Sequence, residues 1–355
     1  MLSLVTAAVL LTLLAVGLGY LQHGDRANRV SSASREPSAV ASPSVASSVA
    51  SSVASGPSST PTAALSPVLP GYHRKSAVTL TARPTPKRKP KPKPKPKPAP
   101  PRVLDFTLTT FNVLGASHTA GRDGRRGMAS GSTRARRAAA IVRRHGSDVV
   151  GFQELQGVQL AGLARHTDLD FYPGFQLRRS DSENSIGWRR DRFELVERHV
   201  VGIPYFNGHR RAMPYIKLRS RTTGLEAWFM NFHNPADTNR YHHQQRWRNA
   251  ATGIEERLAN QLVRTGLPVF LTGDMNERAS YFCRLTGGAP MIAARGGSHS
   301  GGCQAGRPRA VDWIFGSQGV DFTGYYEDRS HLVDITTDHP VVSARVQIQG
   351  DAPTG

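Results

Sequence analysis

The sequence predicts an α/β domain with two β-sheets packed face to face and helices outside. Three observations carry that expectation. Apolar and polar residues alternate over several runs of strand length. Short turns join some of these runs as hairpins, which requires antiparallel or mixed pairing. The clearest helical segments lie between strands, and about 250 of the 355 residues carry the pattern, enough for two sheets and their covering helices.

The first hundred residues do not share it. Residues 1–22 form an apolar N-terminal segment, with no charged side chain from Met1 to Leu21. Roughly 20 apolar residues span a bilayer core, so this run reads as a signal peptide or a membrane anchor. No Lys or Arg precedes it and no A-x-A follows it closely, which favours a retained anchor. Residues 23–102 read as a linker: a Ser-Val-Ala-Ser low-complexity stretch too poor in large side chains to pack, then "PKRKPKPKPKPKPAPP". Proline fixes φ and like charges repel, so the Lys-Pro tract is a stiff spacer, suited to carry a domain from a membrane or through an anionic wall. The expected location is extracytoplasmic, either anchored at the cell surface or secreted, with cell-wall polyanions as candidate partners of the linker. The folded domain is expected over 103–349, as a monomer, with 350–355 a short tail.

Charge follows the same division. The chain is formally +20; residues 1–102 hold 14 Lys/Arg and 2 Asp/Glu, leaving the domain at +8. A domain that basic attracts polyanions or anionic membrane surfaces. Only Cys283 and Cys303 are present, too few for a closed zinc site without other ligands. In an exported chain they are expected to form one disulfide, closing the Gly-rich stretch "LTGGAPMIAARGGSHSGG".

From Val103 the elements follow in order. "VLDFTLTTFNVL" alternates as a strand. "STRARRAAAIVRRHGSD" is a helix capped by Ser132 or Thr133 and stopped at Gly146, with Arg143 and Arg144 as its solvated basic end. "SDVVGFQEL" is a short buried strand ending at Glu154. Two strands surround "NSIGWRRDRFELVERHV", and a hairpin pair spans "PYIKLRSRTTGLEAWFMNFH" with its turn at Thr222 to Gly224. "QQRWRNAATGIEERLANQLVR" is a long amphipathic helix, so two or three helices are expected in all. Three strands close the pattern, at "VFLTGDMN", "AVDWIFGS" and "TTDHPVVSARVQI".

One feature recurs. Strands or their ends deliver Asn112, Glu154, His233, Asp274 with Asn276, Asp312, and Asp338 with His339. Taken alone, "GDMN" reads as well as a turn, since Gly, Asp and Asn are turn formers. If the ends converge, several carboxylates share one place, and like charges there require a cation. Oxygen ligands without cysteine favour Mg2+, Mn2+ or Ca2+ over zinc.

"TTFNVL", "DVVGFQEL", "FMNFHNP", "FLTGDMN", "VDWIFGS" and "TTDHP", in that order, resemble the endonuclease/exonuclease/phosphatase superfamily over about residues 105 to 347. That superfamily includes pancreatic-type deoxyribonucleases, sphingomyelinases and inositol polyphosphate 5-phosphatases. The resemblance implies a four-layer sandwich with two mixed sheets, and metal-dependent phosphoester hydrolysis, with Mg2+ the expected cofactor. It implies Asn112, Glu154 and Asp338 at the metal, with Glu154 the principal ligand. Asp274 would orient or deprotonate water, and Asn276 would hold a phosphate oxygen. His233 would contact the phosphate or protonate the leaving oxygen, and His339 would be oriented by Asp312. Arg211 is a weaker candidate for the phosphate.

Three functions stay open: an extracellular nuclease, a phospholipid phosphodiesterase or phosphatase, and a binding module whose site has decayed. The basic segments "GHRRAMPYIKLRSR" and "NRYHHQQRWR" favour a nucleic-acid substrate, because they mix cations for phosphates with aromatic rings for bases.

Overall fold

The computed structural model describes residues 101–121, 124–306 and 308–350. The expected anchor or signal, the linker up to residue 100 and residues 351–355 lie outside the described residues. Among those described, no helix is long and apolar enough to cross a membrane.

Among the described residues, twelve strands form two six-stranded sheets. The first holds β1 (Arg102–Asn112), β2 (Val149–Gln153), β3 (Leu169–Tyr172), β4 (Ile186–Arg189), β11 (Asp321–Asp328) and β12 (Val341–Gly350), in the order β11-β12-β1-β2-β4-β3. The second holds β5 (Phe193–Pro204), β6 (Arg210–Ser220), β7 (Glu226–His233), β8 (Val269–Asp274), β9 (Met291–Ala293) and β10 (Asp312–Ser317), in the order β5-β6-β7-β8-β10-β9. Four longer helices are α1 (Gly131–His145), α2 (Gly157–His166), α3 (Gln245–Val263) and α4 (Ala279–Gly288).

Each sheet has one parallel pair, β1 with β2 and β7 with β8, and antiparallel pairs elsewhere. A parallel pair needs a crossover, and α1 and α3 supply the two. The sheets are therefore mixed, as the hairpins and intervening helices predict.

The inner faces meet in one apolar layer. Leu104, Phe106 and Leu108 of β1 pack with Phe229, Phe270 and Ile314 of the second sheet. The Phe106 ring meets Phe193, Phe229 and Phe270 edge-on at 5.4–5.8 Å between centroids. Outside, Ala138, Ile141 and Val142 of α1 cover Phe111, Val150 and Phe152. On the other side Leu258 and Leu262 of α3 and Phe282 of α4 cover Trp228, Met230, Leu271 and Phe315. The result is four layers.

Toward one end the inter-sheet layer turns polar. Asn231 Nδ2 donates to the Phe152 carbonyl at 2.7 Å, and Gln153 Nε2 donates to Asn231 Oδ1 at 2.7 Å. Gly151 leaves room for this seam, since an added Cβ would lie 2.0 Å from Thr272 Oγ1 and 2.4 Å from Asn231 Oδ1.

The structure corrects three expectations. The α1 cap is Ser130, whose Oγ accepts from the Thr133 amide, and not Ser132 or Thr133. Helices α2 and α4 exceed the expected two or three. Gly162 of α2 looks like a helix breaker, but its missing side chain lets α1 approach: a Cβ there would lie 2.6 Å from Ala135 Cβ. Strands β3, β9 and β11 were not anticipated; β3 and β9 are only four and three residues long, too short for alternation to register. Cys283 of α4 and Cys303 are joined by a disulfide.

Behind the polar end, Glu255 of α3 is fully buried and accepts from Tyr281 Oη at 2.6 Å. Burial raises its carboxyl to about 7, against the Tyr281 and Asn234 hydrogen bonds that favour the charged form. Between its ordinary 4.5 and about 7 the folded chain therefore holds a proton that the unfolded chain releases, so stability falls as pH rises through that window. Glu255→Gln is expected to abolish this dependence and to exceed the natural chain in stability at pH 8 by about 1–3 kcal/mol. Denaturant titrations at pH 5 and pH 8 measure it; an unchanged pH slope in the variant counts against a buried, protonated Glu255.

Candidate active site

The two crossovers decide where polar residues gather. Parallel pairing puts the C-terminal ends of β1 and β2 side by side, and likewise those of β7 and β8; His233 pairs with Asp274 in register. The antiparallel neighbours begin where these end, with Asp312 opposite Asp274 and Val342 opposite Thr110. Asn112, Glu154, His233, Asp274, Asp312 and His339 thus meet at one edge, between the sheets.

Asp274 is the hub. It is buried, and its Oδ1 accepts from the Asn276 amide two residues on, at 2.9 Å. That bond, with Asn276 at φ 50°, is why β8 ends on Asp-x-Asn. Asp274 Oδ2 accepts from Asn112 Nδ2 at 3.0 Å and lies 3.6 Å from His233 Nε2 and 3.7 Å from His339 Nε2. Burial raises the Asp274 carboxyl, while both histidines oppose the shift.

The Asn112 amide is fixed from the other side. Its Oδ1 accepts from the Leu114 amide at 3.0 Å, so its Nδ2 must face the carboxylates, and it also donates to Glu154 Oε1 at 3.0 Å. The Asn112 oxygen, expected to help hold a metal, is engaged with backbone in this arrangement.

Glu154 has φ 58°, a left-handed conformation that a non-glycine residue adopts at a cost. Its Oε2 accepts from the Gly115 amide at 2.9 Å and lies 3.1 Å from His118 Nε2. Burial disfavours its charge, but His118, the field of His233, and the Gly115 and Asn112 donors outweigh that and hold it well below the usual carboxylate range. The Glu154 hydrogen bond in turn raises His118.

The two site histidines diverge. His339 Nδ1 lies 3.0 Å from both oxygens of buried Asp312. Burial lowers its pKa, but Asp312 and Asp274 push it up to about 11, so the ring is an imidazolium. His233 is more enclosed; burial lowers its pKa despite Asp274 and Glu154, and it stays neutral.

Asp274, Asp312 and His339 form the one group of clustered potential metal ligands among the described residues. A protonated His339 between two carboxylates already balances them, and an imidazolium does not ligate a metal. Glu154 fits a hard cation better: it is ionised and lines the cleft. Asp338 is ion-paired with Arg125. Glu154 and Asp338 would therefore hold the metal, each here facing a basic side chain, His118 and Arg125.

A cleft of about 380 Å³ opens over Glu154 and His233. Arg211 lies in its wall, 4.3 Å over the Tyr205 ring and 3.3 Å from Glu183. Asn276 Nδ2 donates to the Asn234 carbonyl at 2.9 Å, so part of its capacity for a phosphate oxygen is already used.

Sequence reasoning missed His118, Arg125, Tyr205 and Arg134. Tyr205 Oη stands 3.4 Å from the His233 ring nitrogens. Fully buried Arg134 donates to the carbonyls of Val113, Leu114 and Thr336 at 2.6–3.1 Å, tying the loop after β1 to the one before β12. His118 and Arg125 sit in an aperiodic loop. The only available signal for Arg134 was a charged residue on the apolar stripe of α1.

The profile described as the Endonuclease/Exonuclease/phosphatase family matches residues 109–339. No curated protein matches the chain by sequence. Among solved structures, it is similar to an endonuclease/exonuclease/phosphatase family protein from Bacteroides thetaiotaomicron, with 18% identity and TM-score 0.55, covering 69% of this chain and 98% of that one. It is also similar to the mannosyl-6-phosphatase of Bacteroides thetaiotaomicron (19%, TM-score 0.53, 68% and 99% covered). The human Nocturnin catalytic domain with bound sulfate anion matches at 12% and TM-score 0.52, covering 69% and 97%. At these identities the structures share the fold.

Two sets of variants test the roles. Glu154→Gln is expected to abolish turnover of a bis-aryl phosphodiester while leaving the fold intact; undiminished turnover at saturating Mg2+ rejects the assignment. His339→Ala and Asp312→Asn are each expected to lower turnover about 10²–10⁴-fold. Their double variant should be little worse than the worse single, because residues that act as a unit are non-additive. Losses that multiply would separate the pair.

Proposed function

The chain belongs to the endonuclease/exonuclease/phosphatase family, whose members hydrolyse phosphoesters and generally depend on a divalent metal, and within it we propose that this member is a nuclease acting outside the cytoplasm. The observation that carries the reading is the wall of the cleft. Phe206 and Tyr241 stack at 4.4 Å with 7° between their planes, and Tyr205 adjoins Phe206 at 4.5 Å. Arg211 lies over Tyr205 and Arg240 over Tyr241, at 4.3 and 5.4 Å. Flat rings interleaved with guanidinium groups beside a phosphoester-cleaving site suit a chain of bases and phosphates.

The residues divide the work by protonation. A water attacking phosphorus must lose a proton, and Asp274, whose pKa burial raises, is the base nearest the histidines. His339, already charged, faces the negative charge that develops as the phosphorus–oxygen bond breaks, and Asp312 keeps its ring oriented. Neutral His233 donates a hydrogen bond to a phosphate oxygen. A divalent cation, when bound, would neutralise phosphate oxygens beside Glu154. The apolar N-terminal run and the Lys-Pro linker support the extracytoplasmic location, with cell-wall polyanions held by the linker and the domain acting as a monomer.

The full chain is expected to cleave plasmid or single-stranded nucleic acid with Mg2+ or Mn2+, to lose activity in chelator, and to lose rate as salt rises. Tyr241→Ala is expected to lower kcat/KM on single strands about tenfold, the stacking contribution of a base. Hydrolysis of phosphatidylinositol, sphingomyelin or a sugar phosphate, with every nucleic acid left intact in either metal, would overturn the nuclease reading and leave the phosphoesterase standing.

A further inference from the structure

The first sheet carries a second polar hollow, over the middle of β1 and away from its active-site end. Thr107, at its floor, precedes Asn112 by five residues, about 16 Å along a strand. α1 runs from the active site to the hollow: Arg134 braces the active-site loops, and Arg144 and His145 line the hollow. The hollow measures about 510 Å³, within the roughly 300–1,000 Å³ of small-ligand sites.

Strand register builds it. Gly324, Arg345 and Thr107 are neighbours across β11, β12 and β1, and two residues on so are Tyr326, Ser343 and Thr109. Side chains two apart share a face, and here it is the outer face, since Leu108, Ala344 and Val346 point into the core. Farther along β1 that face is apolar, with Phe111 under α1, but α1 ends at His145, which covers Ser343 and leaves the row of Thr107 and Arg345 open. Small side chains make the floor, while Arg345 and Tyr326 stand at its sides.

The floor is ordered. His145 Nδ1 and Ser343 Oγ are 2.8 Å apart, and His145 Nε2 is 2.7 Å from Asp328 Oδ2, whose side chain is fully buried. Asp328 also takes Arg144 and the Ser330 amide, at 2.9 Å for the latter. Asp328 is thus enclosed, and no acidic side chain lines the hollow itself; Asp105 and Asp148 belong to the adjoining hollow that shares Thr107, His145 and Arg345. The charged side chains that line the hollow are those of Arg144 and Arg345. Arg345 is exposed and makes no side-chain hydrogen bond or ion pair among the described residues. Arg144 is half-exposed beyond its contact with Asp328. Tyr326 is 57% exposed, its ring 5.8 Å from that of His145.

We propose that this hollow is a nucleotide-binding site separate from the catalytic cleft: a base lies on Tyr326, and its phosphate is held by Arg345 and Arg144. An exposed aromatic face binds a flat ring, and unpaired guanidinium beside it binds the attached phosphate. The ligand chemistry is one phosphate adjoining one base, free or within a strand.

Calorimetric titration of the full chain with dAMP and with an oligo(dA) tetranucleotide, in chelator, tests it. Both ligands, or either, should bind; the tighter identifies the source. Arg345→Glu and Tyr326→Ala should each weaken binding about tenfold or more. Glu154→Gln should leave binding unchanged, which keeps this site distinct from the catalytic one and its result independent of the nuclease reading. Affinity unmoved by Arg345→Glu or by Tyr326→Ala, inorganic phosphate binding as well as dAMP, or affinity lost with Glu154→Gln would each overturn the proposal.

Discussion

One buried amide joins the two halves of the active site. Asn112 Nδ2 donates to Glu154 at the end of the first sheet's parallel pair and to Asp274 at the end of the second's. Two carboxylates from different sheets approach each other only if something positive or donating lies between them. The Leu114 amide, bonded to Asn112 Oδ1, removes the alternative orientation in which oxygen would face oxygen. The relative placement of both sheets at this edge, and of everything the edge carries, rests on that contact and on the Asn231–Phe152 and Gln153–Asn231 bonds behind it.

The same burial has opposite consequences for neighbouring groups. His233 and His339 both lie near Asp274, yet one is neutral and the other charged. The difference is Asp312, which touches only His339. Groups whose environments push their pKa values apart can serve as acid and base at one pH. Asp274 fits between them: desolvated enough to accept a proton, held in place by Asn112 and the Asn276 amide.

Much of this was legible in the sequence because strand-end chemistry leaves local marks. "FLTGDMN" shows an apolar run, a glycine and an Asx turn, and the structure builds those parts in that order. Asn112, Glu154, His233, Asp274, Asp312 and His339 were all found as polar residues closing or opening apolar runs, and they converge. Asp338 and Arg211 were found too, but their partners, Arg125 and Glu183, were not. Those contacts join residues 213 and 28 positions apart, and no periodicity links them. Short strands such as β9 and a helix with two glycines, α2, escaped for a different reason: they are held by tertiary packing and not by local preference.

The loop between β1 and α1 shows how charge can order a segment that pattern cannot. It is rich in glycine and has no apolar stripe of its own. His118 reaches Glu154 and Arg125 reaches Asp338, so two basic side chains of the loop rest on the acids contributed by the β2 end and by the segment before β12. Arg134, at the start of α1, binds the carbonyls on either side of the same gap. Carboxylates that would otherwise repel one another thus become the anchors of a loop, and the loop's position in turn defines one wall of the cleft over Glu154. Site and scaffold are the same set of contacts here, which is why these acids sit at the meeting point of two sheets and not on one exposed strand end.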